Sequence, residues 1–468
     1  MRVRPAVAAG HPATAEAGAA ILEAGGTAAD AAVAAVAAAC VAETIMTGLL
    51  GGGHAIYWDA ADERAWNLDC FCDVPSGAGG ELLQMPVPFG EELVHYAIGA
   101  ASCAVPGVPA GLAALHERFG RLPWRDVLEP ALRLARVGIE FTAAHAKCLA
   151  MLAPVMTLDR GGEIFAPNGT LLEAGETVRQ PQLEKALALL AHEGGRSAYD
   201  GSLAEALLVL MRARGGAITR ADLRAFEARW TDPVELEYCG YRVLTRAGLS
   251  GVPELLEALP RLHGASETER VLALVPVLEG AERVTHTTNV SVVDGAGNAC
   301  VFTTSLGLGS GDYVPGLDLH LNSMLGEADL LIGGPSASGQ RMESMMAPTL
   351  AFDEDGLAVA IGSAGGSRLR AALALVLAGM VDEGIDPQLA VDRPRFHPTA
   401  ETVNAEPGVD EEALAELGRR GRHVRRWPAS HHYFGGVSVV SRFGNAADPR
   451  RSGAVRAPAG AQVSPQST

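Results

Sequence analysis

Hydrophobic and polar positions along the chain alternate between helical and strand-like spacing without a regular order. Residues 13–24 and 28–43 are rich in alanine and carry apolar residues at helical spacing, so both predict helices, and the second is expected to be buried. The run from Gly51 to Asp59 predicts a strand that follows a glycine turn. Because these elements do not form repeated strand–helix units, the pattern favours the α+β class, in which helices and sheets form separate layers.

The rest of the chain continues this mixture. Apolar spacing predicts further helices at residues 109–119, 124–137, 182–191, 203–213 and 368–382, and a strand near residues 437–441. Gly120 and Gly138 follow the first two of these helices, where a left-handed glycine commonly closes a helix. The last stretch, residues 445–468, is rich in Pro, Ala, Gly and Ser, and we expect it to be loose after Arg451.

A β-hairpin pattern that begins at a hydroxyl residue opens the second half of the chain. Residues 290–293 predict one strand, residues 294–298 a glycine-containing turn, and residues 301–304 the returning strand. If the bond between His286 and Thr287 is cut, the threonine gains an α-amine of pKa about 7.7–8.0, which can act as base for its own hydroxyl. A structural threonine in a half-buried sheet is the alternative interpretation.

Composition excludes several classes of function. The 468-residue chain is 48% hydrophobic, enough for a large core, and its net charge is −18 at pH 7. No basic stripe is present to meet phosphates, so we expect neither nucleic acid nor an anionic membrane as a partner. The alanine-rich run 28–42 contains Asp30 and is shorter than the roughly 20 apolar residues that span a bilayer. The first residues lack the hydrophobic core of a secretory signal, so a cytoplasmic location is expected.

Cysteines and histidines form no metal-binding pattern in the sequence. The seven cysteines are scattered, and an odd number does not suggest a disulfide framework. Cys70 and Cys72 are a close pair, but they lack the second pair and the histidines that a zinc site needs. We therefore expect no metal and no cofactor.

Short motifs along most of the chain resemble the gamma-glutamyltranspeptidase family of N-terminal nucleophile hydrolases, and they occur in that family's order. The motifs before the hairpin are Gly25–Ala32, Gly51–His54, Pro106–Gly107, Gly120–Trp124, Tyr199–Gly201, Gly215–Gly216 and Asp222–Leu223. The motifs after it are Leu321–Met324, Met346–Thr349, Gly362–Arg368, Pro394–His397 and Asp448–Arg451. Each motif alone is weak, whereas their shared order along one chain is specific.

The resemblance implies a four-layer αββα sandwich, one continuous domain over residues 1–468, and a nucleophile at the edge of one sheet. It also implies a maturation step in which the Thr287 hydroxyl attacks the His286 carbonyl. The products would be a large-subunit region, 1–286, and a small-subunit region, 287–468, which stay together as a heterodimer. The same hydroxyl would then attack a small-molecule amide and pass its acyl group to water or an amine. Assembly into a homo-oligomer stays open.

Catalytic roles also follow from the resemblance. Ser305, 18 positions after Thr287, matches a second hydroxyl that orients the nucleophile. Gly365 and Gly366 match a glycine pair whose backbone N–H groups bind the oxyanion, a task that suits glycine because it allows a close backbone approach. Taken alone, the glycine stretch suits a tight strand-to-helix turn or a phosphate-binding loop equally well.

Substrate-binding positions depart in part from the family pattern. Asn322, Glu327 and Ser344 match positions that the resemblance assigns to substrate binding, Glu327 as the acid that holds an α-ammonium group. Met345 stands in place of the second of two serines. Phe71 stands where relatives use an arginine to bind the α-carboxylate of a γ-glutamyl group, a contact that a phenyl ring cannot make.

These observations lead to one main hypothesis and three alternatives. The hypothesis is an amide hydrolase or acyltransferase of gamma-glutamyltranspeptidase ancestry, with an altered acyl pocket and weak turnover of glutathione. The alternatives are a conventional gamma-glutamyltransferase that takes its carboxylate clamp from another residue such as Arg341, a cephalosporin or glutaryl-amide acylase, and a non-catalytic binding protein. Asn289 replaces the histidine of the usual Thr-Thr-His run and the segment 246–286 is short, so the sequence does not establish self-cleavage.

Overall fold

The computed structural model of the chain describes residues 2–89, 92–279, 287–331 and 337–459. Its helices are α1 (Pro12–Glu23), α2 (Ala28–Ala42), α3 (Val108–Phe119), α4 (Trp124–Val137), α5 (Ala143–Met156), α6 (Arg160–Phe165), α7 (Leu183–Glu193), α8 (Ser202–Arg214), α9 (Arg220–Ala225), α10 (Val252–Ala258), α11 (Glu267–Leu278), α12 (Leu369–Val381), α13 (Pro387–Asp392) and α14 (Glu411–Arg419). Its strands are β1 (Ala6–Ala9), β2 (Gly52–Asp59), β3 (Arg64–Cys70), β4 (Leu83–Phe89), β5 (Glu92–Ile98), β6 (Ile139–Glu140), β7 (Thr177–Val178), β8 (Arg229–Thr231), β9 (Val234–Tyr238), β10 (Tyr241–Thr245), β11 (Thr288–Val293), β12 (Ala299–Ser305), β13 (Tyr313–Val314), β14 (Leu319–His320), β15 (Thr349–Asp353), β16 (Gly356–Ala364), β17 (Phe396–Pro398), β18 (Thr402–Ala405), β19 (His423–Arg426), β20 (Gly436–Ser441), β21 (Gly444–Ala447) and β22 (Ala454–Arg456).

Two antiparallel sheets form the centre of the fold. Within the described residues, one sheet has seven strands in the order β22-β1-β11-β12-β2-β3-β8, and the other has six in the order β21-β20-β16-β15-β10-β9. The sheets pack face to face through buried apolar side chains, among them Ile56 and Val301 of the first sheet and Leu350 and Val440 of the second. This shared interior is the inner layer of the core.

Helices cover the outer face of each sheet. Every residue of α2 is buried, and α2 packs on β11 and β12 from one side and against α1 and α4 from the other. Small alanine side chains allow this close packing, which explains why the predicted buried helix is so rich in alanine. On the second sheet, α10, α11 and α12 contribute to a separate apolar cluster. The predicted four-layer αββα sandwich is confirmed.

The regions before and after residue 287 both contribute strands to each sheet, and they are interleaved in the first. In the first sheet, β1 of the earlier region lies between β11 and β22 of the later one. In the second sheet, β15 of the later region pairs with β10 of the earlier one. A break in the chain before Thr287 would therefore leave each fragment with strands that are hydrogen-bonded to the other.

Two local predictions need correction. Gly138 has a positive φ of 87°, as expected, but Gly120 has a φ of −73° and is not left-handed. Glycine suits position 120 for a different reason, since a Cβ there would lie 2.7 Å from an Asp30 carboxylate oxygen. The expectation of a loose chain after Arg451 is wrong for β22, because these residues pair with β1 in the first sheet.

Thr287 lies directly before β11, which is an interior strand of the first sheet rather than an edge strand. The expectation of an edge position is therefore wrong. The nucleophile candidate instead stands at the end of a strand that β1 and β12 hold on both sides. His286, the other residue of the predicted cleavage site, lies outside the described residues.

All seven cysteines are free thiols, six of them buried.

None of the helices in the described part of the chain combines the length and the apolar character needed to cross a bilayer.

Candidate active site

Thr287 opens onto a cavity at the end of β11. The residues around it belong to the strand ends of the first sheet, to loops and short turns, and to the start of α12, and they are Phe71, Thr287, Ser305, Met324, Glu327, Leu330, Ser344, Met345, Met346, Gly366 and Leu369. The cavity has a volume of about 280 Å³, part of which is open to solvent.

Strand register explains why Thr287 and Ser305 meet. Thr288 pairs with Thr304 across β11 and β12, so the next residue on each strand, Thr287 and Ser305, comes to the same end of the hairpin. Both side chains are buried, and both line the cavity. The Ser305 Oγ accepts a hydrogen bond of 2.9 Å from the Gly307 N–H, which fixes the serine hydroxyl at the strand end.

The glycine pair lies in a sharp turn between β16 and α12. Gly365 has a φ of 128° and Gly366 a φ of 61°, and a short 3₁₀ turn leads from them into the helix. A Cβ on Gly365 would lie 2.7 Å from the Cα of Gly435, so the turn leaves no room for a side chain there. Gly366 lines the cavity of Thr287. The turn thus leads from a strand into a helix beside the cavity, and its oxyanion-binding role stays a prediction.

Phe71 forms an apolar wall of the cavity, at the position where the family resemblance implies a carboxylate-binding arginine. Its ring stacks on buried His54, with centroids 5.7 Å apart and planes 18° apart. Burial lowers the pKa of His54 to about 3, so this imidazole is neutral at physiological pH. Within the described ranges, no arginine or lysine lines the cavity.

Arg341, the alternative clamp, is committed to the protein itself. Its guanidinium donates to Asp73 Oδ1 at 2.5 Å, to the carbonyl and carboxylate of Asp69 at 2.8 Å each, and to the Glu227 carbonyl at 2.7 Å. It also packs over the Phe226 ring at 4.7 Å. These contacts leave little capacity to bind a substrate carboxylate, so the structure gives no support to this alternative.

Of the three remaining substrate-binding predictions, two lie on the cavity. Glu327 lines it, and one of its oxygens accepts a 3.0 Å hydrogen bond from the Leu308 N–H. Ser344 lines it as well, with its Oγ accepting from the Met346 N–H at 3.2 Å. Asn322 does not line it, because its amide bonds to backbone groups of Leu50, Ala104 and Met324 and is completely buried.

Asn289 has a supporting position between the sheets. Its side-chain oxygen accepts from Thr303 at 2.6 Å, and its nitrogen donates to Ser291 at 3.2 Å. A Cβ on Gly362 of the facing sheet would lie 2.1 Å from the Asn289 Oδ1. The residue that replaces the expected histidine is therefore part of a polar contact between the sheets near the strand end.

A buried polar cluster that the sequence analysis did not identify lies next to Thr287 and Thr288. Glu43, at the end of α2, accepts hydrogen bonds from Thr288 at 2.5 Å and from Thr14 at 2.8 Å. Arg451, in the last matched motif, donates to the Thr287 carbonyl at 3.4 Å. An acid at the end of an otherwise apolar helix was the available indication for Glu43.

Acidification from pH 7 to pH 5 is expected to destabilise the protein. Burial lowers the pKa of His11 to about 4 and that of His54 to about 3, so these side chains stay neutral in the fold while the unfolded chain binds protons near pH 6.5. Stability from each is complete above pH 6.5 and falls with pH, by about 2 kcal/mol at pH 5. Urea denaturation midpoints at the two pH values measure the change.

Glu43 opposes this loss. Burial raises its pKa to about 7, so its contribution is complete below the unfolded value near 4.5 and is lost as the pH rises through 7. The Glu43→Gln variant is therefore expected to lose about 2 kcal/mol more than the wild type between pH 7 and pH 5. An equal or smaller loss in the variant would contradict the raised pKa of the buried Glu43 carboxyl.

Comparison with known proteins identifies the family to which this chain is similar. A sequence profile described as Gamma-glutamyltranspeptidase matches residues 14–272 and 265–457. The acylase ACY 1 proenzyme of Pseudomonas sp. (strain V22) is 28% identical, over 94% of this chain and 90% of the relative. The glutathione hydrolase proenzyme of Bacillus subtilis (strain 168) is 24% identical, over 96% of this chain and 90% of the relative. The crystal structure of cephalosporin acylase from Bacillus halodurans has the same fold, with a TM-score of 0.79 at 24% identity, over 98% of this chain and 96% of that one.

Proposed function

The chain belongs to the gamma-glutamyltranspeptidase family, and on that premise we propose that it is an amide hydrolase or acyltransferase with Thr287 as its N-terminal nucleophile. One observation carries the proposal: Thr287, Ser305 and Gly366 line a single buried cavity. The relatives named above are acylases and glutathione hydrolases, so both acyl-transfer activities occur among proteins that are similar over nearly the whole chain.

Maturation in this proposal begins with the Thr287 hydroxyl. It attacks the His286 carbonyl and forms an ester, and hydrolysis of that ester frees the α-amine of Thr287. The fragments 1–286 and 287–468 then stay together as a heterodimer, because strands of one fragment pair with strands of the other in both sheets.

Catalysis uses the same hydroxyl. The α-amine takes the hydroxyl proton, the oxygen attacks the substrate's amide carbonyl, and the resulting tetrahedral intermediate collapses to an acyl-enzyme as the amine leaves. Ser305 orients the nucleophile, and the N–H groups of the Gly365–Gly366 turn stabilise the oxyanion. Water or a second amine then attacks the ester and releases the acyl group.

The acyl pocket in this proposal accepts an apolar group. Six of the lining side chains are apolar, and the charged group on the cavity is the Glu327 carboxylate. A γ-glutamyl or glutaryl donor would bring its own carboxylate beside a like charge, into a cavity to which the described residues contribute no cation, which is unfavourable. An uncharged or amino-bearing acyl group has no such cost, and an amino group can pair with Glu327.

A panel of 4-nitroanilides tests the proposal. We expect the butyryl and alanyl anilides to be hydrolysed with a kcat/KM at least about tenfold above those of the γ-glutamyl and glutaryl anilides, a difference of about 1.4 kcal/mol. In Phe71→Arg, the γ-glutamyl anilide should gain about tenfold or more, because a guanidinium can bind its α-carboxylate. Phe71→Leu is the matched control and should show no such gain. Fastest wild-type hydrolysis of the γ-glutamyl anilide would contradict the altered pocket.

A further inference from the structure

Arg451 is a buried arginine that reaches the nucleophile from behind. One guanidinium nitrogen donates to the Thr287 carbonyl at 3.4 Å and to the Met46 sulfur at 3.2 Å, and the other donates to the His432 carbonyl at 3.4 Å. The same group lies behind the glycine turn, since a Cβ on Gly365 would be 3.2 Å from an Arg451 nitrogen. Arg451 thus touches both parts of the candidate catalytic machinery.

The charge of Arg451 is poorly compensated. Among the described residues no carboxylate lies within 4 Å of it, and its Nε has no hydrogen-bond partner. The neighbouring Asp448 is not available, because it pairs with Arg395 at 2.6 Å and with Arg450 at 3.2 Å. A buried guanidinium without a carboxylate partner is costly, because carbonyl and sulfur acceptors compensate its charge less well than a carboxylate does.

Glu43 contacts the same strand end through Thr288. Its carboxylate is too far from Arg451 for an ion pair, and its hydrogen bonds come from the Thr288 and Thr14 hydroxyls. Thr288 follows the nucleophile directly, so Glu43 anchors the strand one residue beyond the carbonyl that Arg451 holds. The N-terminal end of β11 is fixed by one acid and one base from different parts of the chain.

We propose that Arg451 is a positioning residue that holds the Thr287 carbonyl and, as a like charge, keeps the α-amine of the processed Thr287 neutral, while Glu43 holds the adjacent Thr288. The inference rests on the proposed function, because it requires a free α-amine. A cation disfavours a second positive charge nearby, and the amine must be neutral to accept the hydroxyl proton.

Other charged groups face the same strand end. Arg368, at the start of α12, adds positive charge from the second sheet's helix layer, with its Nε bonded to the Tyr433 carbonyl. Glu327 on the cavity and Glu43 behind it are negative when ionised, and the imidazole of His432 packs in the same region. Removal of Arg451 therefore makes the electrostatic potential at this strand end more negative. Removal of the Glu43 charge makes it more positive.

The test measures how fast phenylmethanesulfonyl fluoride labels Thr287 at a series of pH values. The nucleophilic oxygen bonds to sulfur and fluoride leaves, and intact mass of the C-terminal fragment reports the adduct without a known substrate. The acidic midpoint of this profile reports the α-amine. A carbonyl contact at 3.4 Å puts the amine about 6 Å from the guanidinium, so Arg451→Met should raise the midpoint by roughly 0.5 to 2 pH units.

Two further variants separate charge from structure. Arg451→Lys keeps the charge and should leave the midpoint within about 0.3 pH unit of the wild type. Glu43→Gln removes the acid and should lower the midpoint, and it also tests the proposal if Arg451→Met does not fold. A merely structural role would lower the labelling rate by the same factor at every pH and leave the midpoint in place.

The outcomes distinguish this inference from the proposed function. Absence of a label on Thr287 in the wild type, or an equal label in Thr287→Ala, would overturn both. Labelling of Thr287 with midpoints that are unchanged in Arg451→Met and Glu43→Gln would overturn the role of the pair alone. Opposite shifts in these two variants, with Arg451→Lys close to the wild type, are the expected result.

Discussion

Replacement of Thr287 by alanine is expected to leave one uncut chain of 48.5 kDa and to abolish amide hydrolysis. The variant lacks the hydroxyl that attacks in both maturation and catalysis, and loss of a nucleophile typically costs about 10⁴-fold or more in kcat. Intact mass under denaturing conditions gives the first result, since the wild type should show two species that divide before Thr287. Initial rates with the preferred anilide give the second.

Thr287→Ser is the matched control, because it keeps a hydroxyl and an N-terminal amine after cleavage. It should still be cut and should retain measurable turnover. Cleavage of Thr287→Ala at the same bond would show that another group cuts the chain. An uncut wild type that nevertheless hydrolyses the anilides would place the nucleophile elsewhere.

Replacement of Gly365 by alanine is expected to reduce kcat by about 10²–10³-fold, the effect of losing one oxyanion donor. The φ of 128° is unfavourable for any residue with a Cβ, and the added carbon would lie 2.7 Å from the Gly435 Cα. The turn must therefore shift, and Gly366 with it. We also expect a loss of about 1–3 kcal/mol in the free energy of unfolding.

Gly356→Ala provides the comparison for this variant. Gly356 has a φ of 101° in the turn between β15 and β16, and a Cβ there would meet no atom within 4 Å. It shares the positive φ of Gly365 but is not joined to a residue that lines the cavity, so it should lose stability and keep kcat. A similar loss of kcat in both variants would mean that Gly365 acts through stability and not through the oxyanion.

The local pattern of apolar residues was sufficient to predict the helix and strands that position the site. The hairpin of β11 and β12 follows from alternating apolar residues on both sides of a glycine-containing turn, and its register brings Thr287 to Ser305. The buried α2 follows from its small apolar side chains. In each case the determining residues are neighbours in the sequence, so a periodic pattern reports them.

Contacts between distant parts of the chain could not be predicted in this way. In the sequence, Arg341 was a candidate to bind a substrate carboxylate. In the structure it bonds to Asp69 and Asp73, which lie more than 260 positions away in the chain. Arg451 approaches Thr287 because β22 joins the first sheet, whereas the composition of that segment indicated a loose tail. The positions of such residues depend on how distant strands pair, and the local spacing of residue types does not predict strand pairing.

The interleaved strands have a consequence for the lifetime of the processed protein. Before cleavage, unfolding and refolding concern one chain. After the proposed cleavage, any complete unfolding would produce two chains that must find each other again, each with strand edges that have lost their partners in the other chain and are exposed to aggregation. Persistence of the mature form then depends on how slowly it unfolds rather than on its equilibrium stability. The uncut chain could unfold and refold reversibly, whereas the processed protein would not regain its fold after complete unfolding.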